Sequence, residues 1–308
     1  MEKKILFLLF CDFLVCYFIK NSYIIRSKNN GGKKMTGGKN AEVERCVDRY
    51  RLHIHRFAKG TYPEAAGYTE SLPVNRCFMP LANPSGEKCY LEDDEQHFTL
   101  EAGKAYFIPV NYPVRLRLDE DLTFVSIQFT LELFEGIDVF SAFNNICELP
   151  AQRWKSIADN AFSSKNPPLA GAQISALVFE FSSTLMQNMT EREWHPVTKF
   201  AEFQQELAYV YSNRKKLARL TVTDLANVRN FSREYFTRSF SRISGVSPKQ
   251  FLTDLLLNEV KRRLARDEVS IKEISYSLGF SSEFYFSKFC RKHMGLSPKQ
   301  YRDKYPGK

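Results

Sequence analysis

Period-two alternation dominates the chain from about residue 45 to 150. In VSIQFTLEL (125–133), Val125, Ile127, Phe129, Leu131 and Leu133 alternate with Ser, Gln, Thr and Glu, and VRLRL (114–118) does the same. Such alternation predicts half-buried strands. LEAGKAYFIPVNYP (100–113) sets a glycine turn before an aromatic strand that ends at Pro109. Many short strands with turns of this kind predict a sandwich or barrel. Past the breaker Asn166-Pro167-Pro168 the period lengthens. In AGAQISALVFEFSSTLMQNM (170–189), Ile174, Leu177, Val178, Phe181 and Leu185 form a stripe at helical spacing. Trp194-His195-Pro196 marks the boundary with a region whose pattern is helical throughout.

That last region contains one unit twice. SREYFTRSFSRISG (232–245) aligns without a gap on SEFYFSKFCRKHMG (282–295), and GVSPKQF (245–251) on GLSPKQY (295–301). Internal repeats report a repeated structural unit. In the second copy, SIKEISYSLGF (270–280) puts Ile271, Ile274 and Leu278 on one helical face, with Ser270 as N-cap and Glu273 completing a capping box. Gly279 serves the turn, and a second helix runs from Ser282 to about His293. The first copy reads alike, with Thr221 and Asp224 as the capping pair and a turn through Asn230-Phe231. Two short helices joined by such a turn predict a helix-turn-helix, whose second helix enters the DNA major groove.

The second helix of each unit offers an outward set: Ser232, Arg233, Glu234, Thr237, Arg238 and Arg242 in one, Ser282, Glu283, Phe284, Ser287, Lys288 and Arg291 in the other. Cations read guanine edges or hold phosphate, and a carboxylate accepts from cytosine. The aromatics Tyr235, Phe236, Phe240, Tyr285, Phe286 and Phe289 are expected in the core, with Phe284 the outward exception. SPKQFLTDLLLNEVKRRLAR (247–266) reads as one connecting helix, and about 18 residues at 1.5 Å give a rod near 27 Å. That length suits readers entering successive major grooves about 34 Å apart.

Charge sharpens this division. Lys plus Arg outnumber Asp plus Glu by 22 to 11 in 196–308, whereas the balance is 15 to 22 in 35–195. A basic module beside an acidic one points to a polyanion partner for the first alone. The seven cysteines (Cys11, Cys16, Cys46, Cys77, Cys89, Cys147, Cys290) are scattered and lack CxxC spacing. This argues against a disulfide framework or structural zinc site and for a reduced, cytoplasmic protein.

The run ISYSLGFSSEFYFSKFCRKHMGLSPKQYR (274–302), with its degenerate copy upstream, resembles the DNA-binding domain of the AraC/XylS family of transcription regulators. The resemblance implies seven helices in two helix-turn-helix units joined by a long helix, with Arg238, Lys288, Glu283 and Phe284 at positions where the family meets DNA. Three residues depart from that pattern: Ser275 stands for alanine, Cys290 for phenylalanine and Leu256 for arginine. The strand-rich half resembles, mainly through Gly103 to Pro109, the cupin-like sensory domain that often precedes this module.

The expected fold is thus α+β multidomain: a cupin-like ligand-sensing β-barrel (45–165), a helical dimerisation and linker region (166–195), and an all-α double helix-turn-helix domain (196–308). The implied function is a sequence-specific, ligand-responsive activator of carbohydrate-related genes. Its partners would be double-stranded DNA, a small-molecule effector such as a sugar, a second copy of the chain and RNA polymerase.

A polar ligand would sit among Tyr106, Tyr112, His97 and Arg115 at the barrel mouth. His53 and His55, alternate residues of one strand, point the same way and could share a metal. However, Glu64 is distant and Val114 stands about where a second cupin motif would supply histidine. These histidines are therefore expected to line a pocket or the surface, with no cofactor. The alternative, a metal-dependent cupin enzyme with a DNA-binding tail, lacks a ligand set.

Residues 1–34 remain. ILFLLFCDFLVCYFI (5–19) resembles a signal-peptide core but carries Asp12 and is short of the roughly 20 residues that span a bilayer. Gly31-Gly32-Lys33-Lys34 before Met35 permits purine-rich codons resembling a ribosome-binding sequence, so translation is expected to start at Met35, with a membrane or signal segment as the rival. Mass spectrometry of the native protein reads this directly; a peptide from 5–19 would contradict it.

Overall fold

The computed structural model describes residues 49–61, 66–134, 136–265 and 269–304. The apolar segment 5–19 and the start-site expectation lie outside them. Residues from Cys46 onward form one compact unit.

Among the described residues, ten strands make two sheets. They are β1 (Arg51–Thr61), β2 (Ala66–Glu70), β3 (Asn75–Ala82), β4 (Tyr90–Glu92), β5 (His97–Thr99), β6 (Lys104–Ile108), β7 (Val114–Leu118), β8 (Thr123–Phe134), β9 (Ile137–Asp138) and β10 (Cys147–Pro150). The larger sheet has the order β1-β8-β3-β6-β10, with β9 paired to β8, and the smaller has the order β2-β7-β4-β5. Every pairing with a stated register is antiparallel. Gly103, at φ +89°, makes the turn into β6.

Alternation along the strands sorts side chains into two cores. Phe78, Tyr106, Ile108 and Phe124 of the larger sheet meet Leu91, Val114, Leu116 and Leu118 of the smaller. Their neighbours Cys77, Met79, Phe107, Val125, Ile127 and Phe129 face the other way. There they pack on α1 (Gln152–Ser163) and α2 (Pro167–Gln187), where Trp154 meets Phe181 edge-on at 4.9 Å and Phe107 lies 6.0 Å from Phe181. Asn166 caps α2 by accepting from the Leu169 amide, and Pro167 and Pro168 occupy its first turn. The breaker of the sequence is therefore the helix start.

One expectation for β8 is overturned. Its polar positions do not face water: Ser126, Thr130 and Glu132 are buried along with their apolar neighbours. β8 is central, flanked by β1 and β3, and both of its faces are covered. Two of its buried polar groups are partnered, Thr130 Oγ1 to His55 Nε2 at 3.0 Å and Glu132 Oε2 to the Gly136 amide at 2.9 Å.

The helical half continues from the same core. α3 (Glu191–Lys199), a short 3-10 turn at Phe200–Phe203, α4 (Gln204–Ser212) and a second 3-10 stretch at Arg214–Arg219 lead into α5 (Val222–Asn227) and α6 (Arg233–Ser244). α7 (Pro248–Leu264) connects to α8 (Ile271–Ser277), α9 (Glu283–Met294) and α10 (Pro298–Lys304). Phe200, Phe203, Phe236, Phe240 and Phe251 form an aromatic cluster with centroids 4.7–6.0 Å apart.

The sheet meets the helical half along a seam. Gly136, at φ +78° after β8, faces Leu255 of α7 so closely that an added Cβ would lie 2.6 Å from Leu255 Cδ2. Beside it Arg214 approaches Glu132 at 3.9 Å, and both Arg214 and Arg51 stack over Tyr211.

Asp138 anchors the sheet edge of this region. Buried, it accepts from both the Leu131 and Phe140 amides and from Asn75 Nδ2 at 2.8–3.0 Å. Burial outweighs those bonds and raises its pKa to about 6. A raised acid favours the folded state below the unfolded pKa and loses that contribution as pH rises through the folded value. The stability of the wild type minus that of Asp138→Asn should therefore fall by up to about 3 kcal/mol between pH 4 and pH 7. A pH-independent difference in urea unfolding would contradict the assignment.

Candidate nucleic-acid interface

Each predicted reader is built by local capping chemistry. Thr221 and Ser270 cap α5 and α8, each accepting from the amide three residues on, while Asp224 and Glu273 reach back to the cap amides at 2.8 and 3.0 Å. The turns pass through a positive φ, +56° at Asn230 and +89° at Gly279. At Gly279 an added Cβ would meet the Lys216 backbone at 2.9 Å, so glycine is required there by space as well as by angle. Ser232 and Ser282 then cap α6 and α9 through the Tyr235 and Tyr285 amides.

The recurring GxSPKQ string now has a physical account. Gly245 and Gly295, at φ +81° and +71°, end the two reader helices in the left-handed conformation. Ser247 and Ser297 accept from the Gln250 and Gln300 amides, and Pro248 and Pro298 open the next helix. Each copy closes one helix and starts another.

The units are not identical. From Ser232 onward the register differs by 50, but the first helices and turn glycine or asparagine differ by 49 (Thr221 to Ser270, Asn230 to Gly279). One residue, Ser281, is therefore extra in the second turn.

The outward sets lie as follows. Arg233, Glu234, Arg238 and Arg242 are exposed on α6, and Glu283, Phe284, Lys288 and Arg291 on α9, with Phe284 72% exposed. Thr237 and Ser287 are half-buried, and Thr237 Oγ1 donates to the Arg233 carbonyl at 2.7 Å. Ser232 and Ser282 spend their hydroxyl oxygens on the helix caps. Phe236, Phe240, Phe286 and Cys290 are fully buried and Phe289 is half-buried. Burial pushes the Cys290 thiol up to about 12, so it sits in the core as a neutral side chain. Two aromatics depart from expectation: Tyr235 and Tyr285 are 51% and 58% exposed rather than core. Each precedes the buried phenylalanine by one residue, which turns it about 100° out of the packed face. The repeat carried that signal, since both tyrosines recur at one position.

α7, 17 residues long, is a rod of about 25 Å between the units. Leu252, Leu256 and Leu264 are buried and Leu255 and Leu257 half-buried, so Leu256 packs where the resembled family has a cation.

The six ligand candidates of the sheet region do not converge on one pocket. Tyr112 Oη donates to Asp93 at 2.8 Å, Arg115 binds Glu92, Asp94 and the Asp93 carbonyl at 2.9–3.0 Å, and His97 Nδ1 lies 3.1 Å from Glu92. Those bonds to His97 and Arg115 hold Glu92 below the usual carboxylate range. Tyr106 is buried between the sheets, its hydroxyl donating to the Thr99 carbonyl and accepting from the Glu101 amide. His53 is exposed and His55 is held by Thr130, both on the other sheet. Among the described residues no group of three His, Cys, Asp or Glu side chains is placed to hold a metal.

Comparison with known proteins decides the class. Residues 225–304 match the family model described as a helix-turn-helix domain, which is of the AraC type. The chain is a DNA-binding transcription regulator that carries an AraC-type helix-turn-helix domain. The regulator is 22% identical over 255 residues to the raffinose operon transcriptional regulatory protein of Pediococcus pentosaceus, covering 83% of this chain and 85% of that protein. It is 27% identical over 168 residues to the melibiose operon regulatory protein of Escherichia coli, spanning 52% of this chain and about half (55%) of that one. Fatty-acid-bound ToxT of Vibrio cholerae superposes with a TM-score of 0.49 at 13% identity, over 82% of this chain and 94% of that one.

The regulator carries one evident flaw in its second reader. Ser275 is fully buried and its hydroxyl has no partner among the described residues, whereas the equivalent residue of the first unit is buried Ala226. Ser275→Ala should therefore stabilise the protein by about 1 kcal/mol, because it removes an unsatisfied buried hydroxyl at nearly constant volume. Chemical denaturation of the two proteins checks this, and a destabilised variant would mean the hydroxyl is satisfied.

Proposed function

We propose that this protein is a ligand-responsive activator of carbohydrate-utilisation genes that reads two successive major grooves with α6 and α9. The observation that carries the reading is the duplicated reader, which exposes a cation at the same place in both copies, Arg238 and Lys288, at the two ends of a rigid α7. The carbohydrate assignment is supported by the sugar operons named for two relatives. In this reading Arg233, Glu234, Thr237, Glu283, Phe284, Ser287 and Arg291 complete the groove-facing set, and the protein works in the cytoplasm with RNA polymerase. Selection of preferred sites from a random duplex library, followed by binding of Arg238→Ala and Lys288→Ala, tests it. Each variant should lose about tenfold in affinity or more and relax preference at one position. Normal affinity and preference in both would refute the assignment.

The effector would act through the seam between sheet and helices, by binding one arrangement of Gly136, Leu255 and Arg214 better than another. Melting temperature should rise with one class of sugar and not with others, through mass action on the folded state. No shift with any sugar would remove the sugar from this account.

A second copy fits the outer face of α2. Leu169, Ala172, Ala176 and Phe179 are exposed there at i, i+3, i+7, i+10 spacing, opposite the face packed on the sheet. By length and mean hydropathy this helix is also apolar enough to cross a membrane, but its Ile174, Leu177, Val178, Phe181 and Leu185 are buried against the core. Phe179→Asp should shift sedimentation from dimer to monomer, and an unchanged dimer would place the contact elsewhere.

A further inference from the structure

Tyr235 and Tyr285 contribute little to the packing of the described residues. Both are more than half exposed. Their ring contacts are with single neighbours, Tyr235 with Phe231 at 4.9 Å and Tyr285 with Phe284 at 5.7 Å, both edge-on. Neither hydroxyl makes a hydrogen bond to a described residue. Tyrosine is nevertheless kept at this position in both units, although the preceding residue changes from Glu234 to Phe284 and the cation three residues on from Arg238 to Lys288.

Their azimuth sets what they can reach. At 100° per residue, the buried side of α6 is centred between Phe236 and Phe240, and the opposite side between Glu234 and Arg238. Tyr235 lies between these sides, on one flank, with Arg242 on nearly the same line two turns further on. On α9 the flank carries Tyr285 and exposed Lys292. When a helix lies in the major groove, its outermost line faces base edges and its flanks face the groove walls, which are phosphate. A flank carrying a rigid phenol in its first turn and a cation two turns later matches a phosphate backbone running alongside.

We propose that Tyr235 and Tyr285 each donate a hydrogen bond from Oη to a DNA phosphate, fixing the depth and tilt of its reader helix without reading sequence. The braced rings suit this, because an aromatic side chain with two torsions loses little entropy on contact. The proposal rests on the reading of α6 and α9 as groove-binding helices.

The test uses the full-length protein with Tyr235→Phe, Tyr285→Phe and the double variant, on a selected duplex and a scrambled one. Each loss of a hydroxyl should weaken both duplexes by about tenfold, the scale of a hydrogen bond to a charged group. The ratio between duplexes, the slope of log affinity against log salt and the melting temperature should not change. A neutral donor releases no counterion, whereas removing the flank cation in Arg242→Ala should flatten the salt slope by about 0.9. A double variant binding both duplexes within about twofold of wild type, set against the hydrogen-bond scale above, would overturn the proposal. So would a changed ratio, which indicates base reading, or a lowered melting temperature, which indicates a structural role. If the wild type prefers no duplex, the regulator reading fails by itself, and the phosphate assignment is still decided on the scrambled duplex.

Discussion

The constraint on which this structure depends is that its larger sheet must be buried on both faces. A short-stranded sheet with one wet face could stand alone, but here β3, β6 and β8 send large apolar side chains both ways. The smaller sheet covers one face, and only helices are left to cover the other. α2 does so with Phe181 at its centre, and the same apolar layer runs on through Phe200 and Phe203 into the first reader. Sensor-like sheet and DNA-binding helices therefore share one continuous hydrophobic layer rather than hanging on a flexible tether. A disturbance of sheet packing has a contiguous physical route to α6 and α7, with Leu255 against Gly136 as its narrowest point.

Local signals made most of the helical half legible. Capping boxes at Thr221-Asp224 and Ser270-Glu273, positive-φ residues at the turns and the GxSPKQ closures are all specified by residues within one turn of the place they act. The outward side of α6 and α9 followed from the same periodicity, and Arg238, Lys288 and Phe284 are exposed on it. Tyr235 and Tyr285 were misjudged because an aromatic was weighed by its type rather than its angle on the helix. The repeat held the better signal, for a buried phenylalanine beside each tyrosine already fills the core position.

The sheet half was less legible because its outcome is non-local. VSIQFTLEL shows which residues of β8 share a face, but whether the second face meets water depends on which strands flank it. That is decided by β1 and β3, which lie 62 and 54 residues away at the pairs Thr61 with Thr123 and Asn75 with Phe129. The proposed ligand residues failed to gather for the same reason. His53 and His55 stand on one sheet, His97 and Arg115 on the other, and Tyr112 in the loop before β7, where acidic partners from β4 and the loop after it occupy the last three. No spacing rule within a strand could have foreseen that partnership.

Ser281, the single extra residue in the second turn, gives the molecule a polarity. The two readers are not copies placed on a repeated track: one follows a turn at Asn230 and offers Glu234, the other follows a longer turn at Gly279 and offers Phe284. A chain with two unlike readers in fixed order recognises a sequence that has a beginning and an end. Turned end for end, the same DNA presents the wrong half to each helix. In the proposed reading a single chain thus carries a sense of direction along the double helix, and with it the information to tell upstream from downstream.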